Sequence, residues 1–197
     1  MTTTFIALLA LPAEKPPPLD TLAECLTGFF GDSATLQMDA AEEALSVSVA
    51  DQQLQVASKA AAIPWSVLEG PVDAAWYWPQ ARAELRGHRC HLAVVLRESA
   101  TPPVVASLLL TRSVALLGER LSYLGVLWDA APIVHSAASF SESARAMDPQ
   151  ALPLRLWVDF QILSNEDGST SLFTRGLEAL GGQEIEVRGA RRPPDEV

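Results

Sequence analysis

The chain predicts an α+β domain: a mixed, mainly antiparallel sheet packed against helices, one of them deeply buried. Three observations carry that expectation. Phe5–Leu11 and Leu92–Leu96 are continuous apolar runs of strand length. Leu45, Val47 and Val49 alternate with Ser46 and Ser48, as in a strand with one face buried. Val104–Leu117 is apolar on most sides, as in a helix inside a core. Strands and helices mix without regular βαβ alternation and without an internal repeat, which favours α+β over doubly wound α/β. Residues 1–187 read as one domain and 188–197 as a frayed tail.

Phe5–Leu11 reads as a central strand covered on both faces. Lys15-Pro16-Pro17-Pro18 makes a stiff loop. Asp20 is placed as the cap of a helix whose Leu19, Leu22, Ala23, Leu26, Phe29 and Phe30 share one face, with Gly31 as its stop. Leu54 and Val56 then return the strand of Leu45–Val49 as a hairpin.

Ile63–Pro79 holds Trp65, Trp76 and Trp78 among Pro64, Pro71 and Pro79. The prolines predict a loop with short helical turns, and the aromatics a packing lid or a recognition surface. His91–Arg97 is a buried strand. Thr101 with Pro102 opens the buried helix. Tyr123–Trp128 is a strand, and Pro132–His135 follows it. Ser139 and Glu142 have capping-box spacing for a helix to about Met147.

From Leu154 to Ile162, every second residue is apolar, which predicts one unbroken strand. Its other face would carry Arg155, Trp157, Asp159 and Gln161. Asn165–Gly168 is a turn, Thr174 caps a short helix stopped by Gly181-Gly182, and Glu184–Val187 is a last strand.

Lys and Arg total 14 against 24 Asp and Glu, for a net charge of −10. That balance repels phosphate backbones and anionic lipid, so nucleic-acid and membrane-surface roles are disfavoured; it suits solubility, or a basic protein partner. Cys25 and Cys90 stand too far apart for a disulfide framework or a zinc motif. Free buried thiols and a cytoplasmic location are expected. The first apolar run has no Lys or Arg before it and is too short to span a bilayer, unlike a signal peptide or a membrane span.

Chemistry is thinly represented. His88 and His91 lie three apart at the start of a strand, on opposite faces, so no metal is expected there. His135-Ser136 is the one adjacent His-Ser pair. A small hydrolase using His135 with Asp159 or Glu184 is one alternative, though no Gly-x-Ser-x-Gly elbow is present. Glu184 and Glu186 would share a side of the last strand and face Asp159 as an acidic sheet surface. Asp159 itself is expected in a cross-strand salt bridge or at a contact surface. Gly181-Gly182 follows a helix and so is a stop rather than a phosphate loop. No cofactor is called for.

Several segments, taken together, form a pattern: Ile63-Pro64-Trp65 with Leu68-Glu69-Gly70, Ala75–Trp78, His91–Val94, Val134-His135-Ser136 with Phe140, Leu152–Phe160, and Thr174–Leu177 with Glu184-Ile185-Glu186. In this order they resemble the bacterial proteins grouped as domain of unknown function 4261, from about Ile63 to Val187. The family pattern has an aromatic before its last glycine, where this chain has Leu180-Gly181-Gly182. The resemblance implies no activity and no catalytic residues.

The expected function is a non-enzymatic, acidic protein-binding module, such as an immunity or accessory protein of a bacterial toxin or secretion system. Its contact residues would come from Trp65, Glu69, Trp76, Trp78, Arg155, Trp157, Asp159, Glu184 and Glu186. A small-ligand domain lidded by the tryptophans is the other alternative.

Overall fold

Strand β1, Phe5–Leu11, has apolar side chains on both faces because both faces are covered. Phe5, Ala7, Leu9 and Leu11 enter one core, while Ala10 and Leu8 belong to a second core on the opposite side. In the computed structural model, which describes residues 4–31, 34–49, 52–97, 101–148 and 150–191, β1 is central to a seven-stranded antiparallel sheet. The other strands are β2 (Thr35–Asp39), β3 (Ala44–Val49), β4 (Gln52–Lys59), β5 (Cys90–Arg97), β6 (Gly125–Trp128) and β7 (Ile133–Ser136). Their order is β2-β3-β4-β5-β1-β6-β7. Helices and mainly antiparallel strands form one α+β domain, as the sequence predicts.

One face of this sheet carries the larger core. Helix α1, Leu19–Phe30, buries Leu22, Cys25 and Leu26 there and stops at Gly31, whose φ of 61° suits glycine. Asp20 is not its cap, because the helix starts directly after Pro18 and Asp20 lies in the first turn. The opposite face is covered over β1, β6 and β7 by α2 (Trp65–Ala74) and α3 (Ala81–Leu85). Ile63–Pro79 is therefore more regular than its prolines predict. Pro71 sits inside α2, which keeps its fold because Leu68 and Val72 are buried against the sheet.

The buried helix is α4, Pro103–Arg120. It begins one residue later than expected: Pro102 is the N-cap and Pro103 the first helical residue, so Thr101 lies outside it. Leu110, Val114 and Leu117 are fully enclosed, together with Ser107, Thr111 and Ser113. The hydroxyls of Thr111 and Ser113 survive burial by donating to carbonyls four residues back. Helix α5, Ala137–Ala146, starts earlier than the Ser139 box implies. Its cap is Ser136, whose Oγ accepts the Ser139 N–H at 3.2 Å.

The predicted strand from Leu154 is not formed at its start. Leu154–Trp157 is one helical turn, α6. A strand would send the adjacent Leu156 and Trp157 to opposite faces. The turn lets Leu156, Trp157 and Val158 all enter the large core. The strand proper, β8, is Asp159–Ser164. Gly168, with φ 76°, makes the predicted turn into β9, Thr170–Arg175. Thr174 thus lies on a strand rather than capping a helix. The glycine stop holds, at the end of a 3-10 turn over Glu178–Leu180. The last strand, β10, is Glu186–Ala190, so pairing extends into the expected tail. Residues 192–197 lie outside the described residues.

Strands β8, β9 and β10 form a separate small sheet in the order β10-β9-β8. Gly176 joins it to the body: a Cβ there would lie 2.4 Å from the Trp157 carbonyl oxygen and 2.8 Å from Ala131 Cβ. With φ of 113° as well, this position excludes larger residues twice over.

Candidate functional site: an aromatic tip beside a sealed histidine

The segment from Ile63 to His88 is a lid on the second core, held at both ends by one side chain. His88 is buried, and its Nε2 accepts the Ile63 N–H at 2.7 Å. A backbone amide can only donate, so Nε2 is the unprotonated nitrogen and Nδ1–H donates to the Leu85 carbonyl. His91 is tied separately, through Nδ1 to the Ala61 carbonyl at 2.7 Å, and burial lowers its pKa. Both imidazoles serve backbone geometry. Among the described residues, no group of three or more His, Cys, Asp or Glu side chains could hold a metal ion.

The three tryptophans of the lid do different things. Trp78 is buried against Gly125, where a Cβ would come within 2.8 Å of the indole. Trp65 is half-buried, with the guanidinium groups of Arg86 and Arg82 at 4.5 and 5.3 Å from its ring. Trp76 is 78% exposed. It is nonetheless held, because the Trp76 N–H donates to the Ala74 carbonyl and its neighbours Ala75 and Trp78 are both buried. Tyr77 packs edge-on to it at 5.7 Å and donates its hydroxyl to the Val134 carbonyl on edge strand β7 at 2.9 Å. Glu69 and Asp73 on α2 are exposed, and both pair with Arg82.

Behind the tip lies His135, only 4% exposed. Its ring stacks on Tyr77 at 6.2 Å and packs against Phe140 at the same distance. Its Nε2 is 3.3 Å from the Leu156 carbonyl. Burial drives its pKa down to about 4, against a small upward pull from that carbonyl. The imidazole is therefore neutral at pH 7. Asp159 is buried nearby and accepts the Gln161 amide at 2.7 Å. Burial, with the Asp159 charge second, lifts the Tyr77 phenol to about 12. Tyr77 thus lies against His135 and within the field of Asp159, while the Ser136 hydroxyl is occupied in capping α5.

Glu184 is placed elsewhere, ahead of β10. Its carboxylate accepts from Thr174 Oγ1 at 2.7 Å, Gly176 N–H at 2.6 Å and Glu178 N–H at 3.2 Å. Burial, the largest single influence, raises its pKa, but the bonds from Thr174, Glu178, Gly176 and Leu177 together outweigh it and lower the pKa. Stability from this clamp is present above the ordinary carboxylate range and lost as pH falls through it. Glu184→Gln is expected to cost about 0.5–1 kcal/mol, discounted for its exposure, as measured by urea unfolding at pH 7.

The other sequence candidates divide by burial. Trp157 and Trp78 are core residues, so neither offers a contact surface. Arg155 is exposed, and Glu186 is exposed and paired with Arg188 at 2.6 Å. The expected acidic face of Asp159 with Glu184 and Glu186 does not form. Strand β9 separates Asp159 from Glu186, and Glu184 is taken up by backbone amides. Asp159 lies opposite Arg175 in register, yet its carboxylate takes the Gln161 amide.

Sequence reasoning missed two features. Tyr77 was passed over although it joins the tip to His135. A shallow groove of about 850 Å³, with Glu43, Gln55, Lys59 and Arg97 in its wall, lies at the far half of the large sheet. Only strand pairing brings those residues together, so no local signal marks it. No described helix is long and apolar enough to cross a membrane. No protein-family model, no curated protein and no solved structure matches the chain.

Proposed function

We propose that this protein is a non-enzymatic protein-binding module that docks a basic partner on its Trp76–Tyr77 tip. The observation that carries this reading is Trp76 itself, an indole 78% exposed on a tip whose flanking residues are buried and hydrogen-bonded. Large aromatics are over-represented among the residues that dominate binding energy. A tip already ordered in the free protein loses little entropy on docking. The net charge of −10 selects for a basic partner and speeds its approach. Support against a hydrolytic role comes from the nearby groups: His135 is sealed under Tyr77, and Ser136 is engaged as a cap.

The narrower form of the proposal is a cytoplasmic immunity or accessory protein of a bacterial toxin or secretion system, belonging to the family it resembles. A toxin or secretion gene beside its own gene would support that form.

The decisive experiment is a capture from the native organism with wild type and Trp76→Ala. One basic protein should be recovered stoichiometrically with wild type. Trp76→Ala should weaken that complex by at least about 30-fold, as expected for an anchor worth about 2 kcal/mol. The melting temperature should not change, since the side chain is solvated. An equally tight complex with Trp76→Ala would rule out the tip as the anchor.

A further inference from the structure

Of the three tryptophans in the lid, Trp76 alone has its ring in water, at 78% exposure. The edge-on contact with Tyr77 can occupy one face of the indole at most, so the other face is open. The same lid shows what such a ring takes. Trp65 carries the Arg86 guanidinium at 4.5 Å and the Arg82 guanidinium at 5.3 Å from its ring centroid. On α1, Phe29 carries the Arg112 guanidinium at 5.6 Å. Among the described residues, no guanidinium lies over Trp76. The face of an indole is the negative part of its quadrupole, and a planar cation stacks on it.

Charge at the tip points the same way. Tyr77 is fixed beside Trp76 by its hydroxyl bond to the Val134 carbonyl and by stacking on His135. The Asp159 carboxylate acts electrostatically on the Tyr77 phenol. It accepts the Gln161 amide and pairs with no cation among the described residues. A negative charge without a counter-ion therefore stands behind the exposed ring, on a chain of net charge −10.

We infer that the open face of Trp76 receives an arginine side chain, guanidinium stacked on indole. This rests on the docking reading above and names the group that the basic partner presents to the tip. An aliphatic side chain would gain less, because an indole that stands 78% exposed gives it no enclosed wall to be buried against. A guanidinium needs only a face, and its edge N–H groups stay in water. Lysine fits less well, because its ammonium is a compact, strongly hydrated charge.

Fluorescence anisotropy of a dye-labelled Gly-Arg repeat peptide tests this inference. Wild type should bind the peptide about 2–5-fold tighter than Trp76→Leu, the factor for one solvent-exposed cation–π pair, with Trp76→Phe between them. Melting temperatures of the three proteins should agree. The same peptide with citrulline in place of arginine keeps the shape without the charge, and it should show no preference for tryptophan over leucine. Added salt should weaken the arginine peptide on every variant, yet leave the ratio between variants nearly unchanged, because stacking acts at short range. An arginine peptide that fails to bind, or that binds Trp76→Leu as tightly as wild type, would overturn the inference. So would a citrulline peptide with the same preference for tryptophan. Capture from the native organism separates this from the docking reading. A complex lost with Trp76→Ala but held at full strength by Trp76→Leu would keep the tip as an anchor and sink the arginine. Absence of any captured protein would count against docking, while the peptide series still decides what the ring takes.

Discussion

Replacing Trp157 with alanine is expected to lower stability by about 3–5 kcal/mol, the range for deleting a fully buried large aromatic. Trp157 is 1% exposed and stacks on Trp128 at 6.5 Å. Its Nε1–H donates to Thr111 Oγ1 at 2.8 Å, inside the core. Alanine would leave a cavity and remove the indole partner of Thr111. The Thr111 hydroxyl would keep its own bond to the Ser107 carbonyl, which limits the polar part of the loss. Trp157→Phe separates the two effects: it retains most of the ring and should cost about 1–2 kcal/mol. Guanidinium unfolding followed by circular dichroism measures both. A loss below about 1 kcal/mol for alanine would mean that the core collapses around the gap. The site also joins the body to the small sheet, because the Trp157 carbonyl lies against Gly176.

Acidification from pH 7 to pH 4 is expected to remove up to about 3 kcal/mol through His135 alone. Its folded-state pKa, about 4, lies below the ordinary histidine value of 6.5. Between those values the unfolded chain binds a proton that the folded chain refuses. Acid therefore favours unfolding: stability from this group is complete above about pH 6.5 and falls as pH drops toward 4. For a chain of this length the loss is about 6–12 °C in melting temperature. His91, whose pKa is also lowered by burial, acts in the same direction. The comparison with His135→Phe isolates the one residue. Phenylalanine suits the space between Tyr77 and Phe140, and it cannot titrate. Its melting temperature should fall visibly less than that of wild type over the same pH range. Parallel pH profiles would show that His135 does not exclude the proton.

The functional residues divide in a similar way between what is local and what is not. Trp65, Trp76 and Trp78 are conspicuous in the chain, but their roles differ through neighbours far away in sequence. Gly125 makes room for Trp78, and Arg82 and Arg86 cover Trp65. Trp76 meets Tyr77 edge-on and is left to solvent. Likewise His135, legible as half of a His-Ser pair, is sealed by Tyr77, 58 positions earlier in the chain. No pattern in the sequence joins those two.

Sequence by itself determined the parts whose signal is periodic and local. These are the two-sided burial of β1, the alternation of β3 and β4, the enclosed helix α4, the Gly31 and Gly181 stops and the Gly168 turn. Hydrophobic periodicity and glycine φ values act over a few residues, so they can be read from a few residues. Tertiary structure alone decided the fate of Leu154–Ile162. Alternation promised one strand with its apolar side inward. Instead Leu156 and Trp157 both turn into the core as α6, and Phe160 and Ile162 emerge on an open face. The physical reason is that a buried indole with its own hydrogen-bond partner on α4 outweighs the local preference for an extended chain.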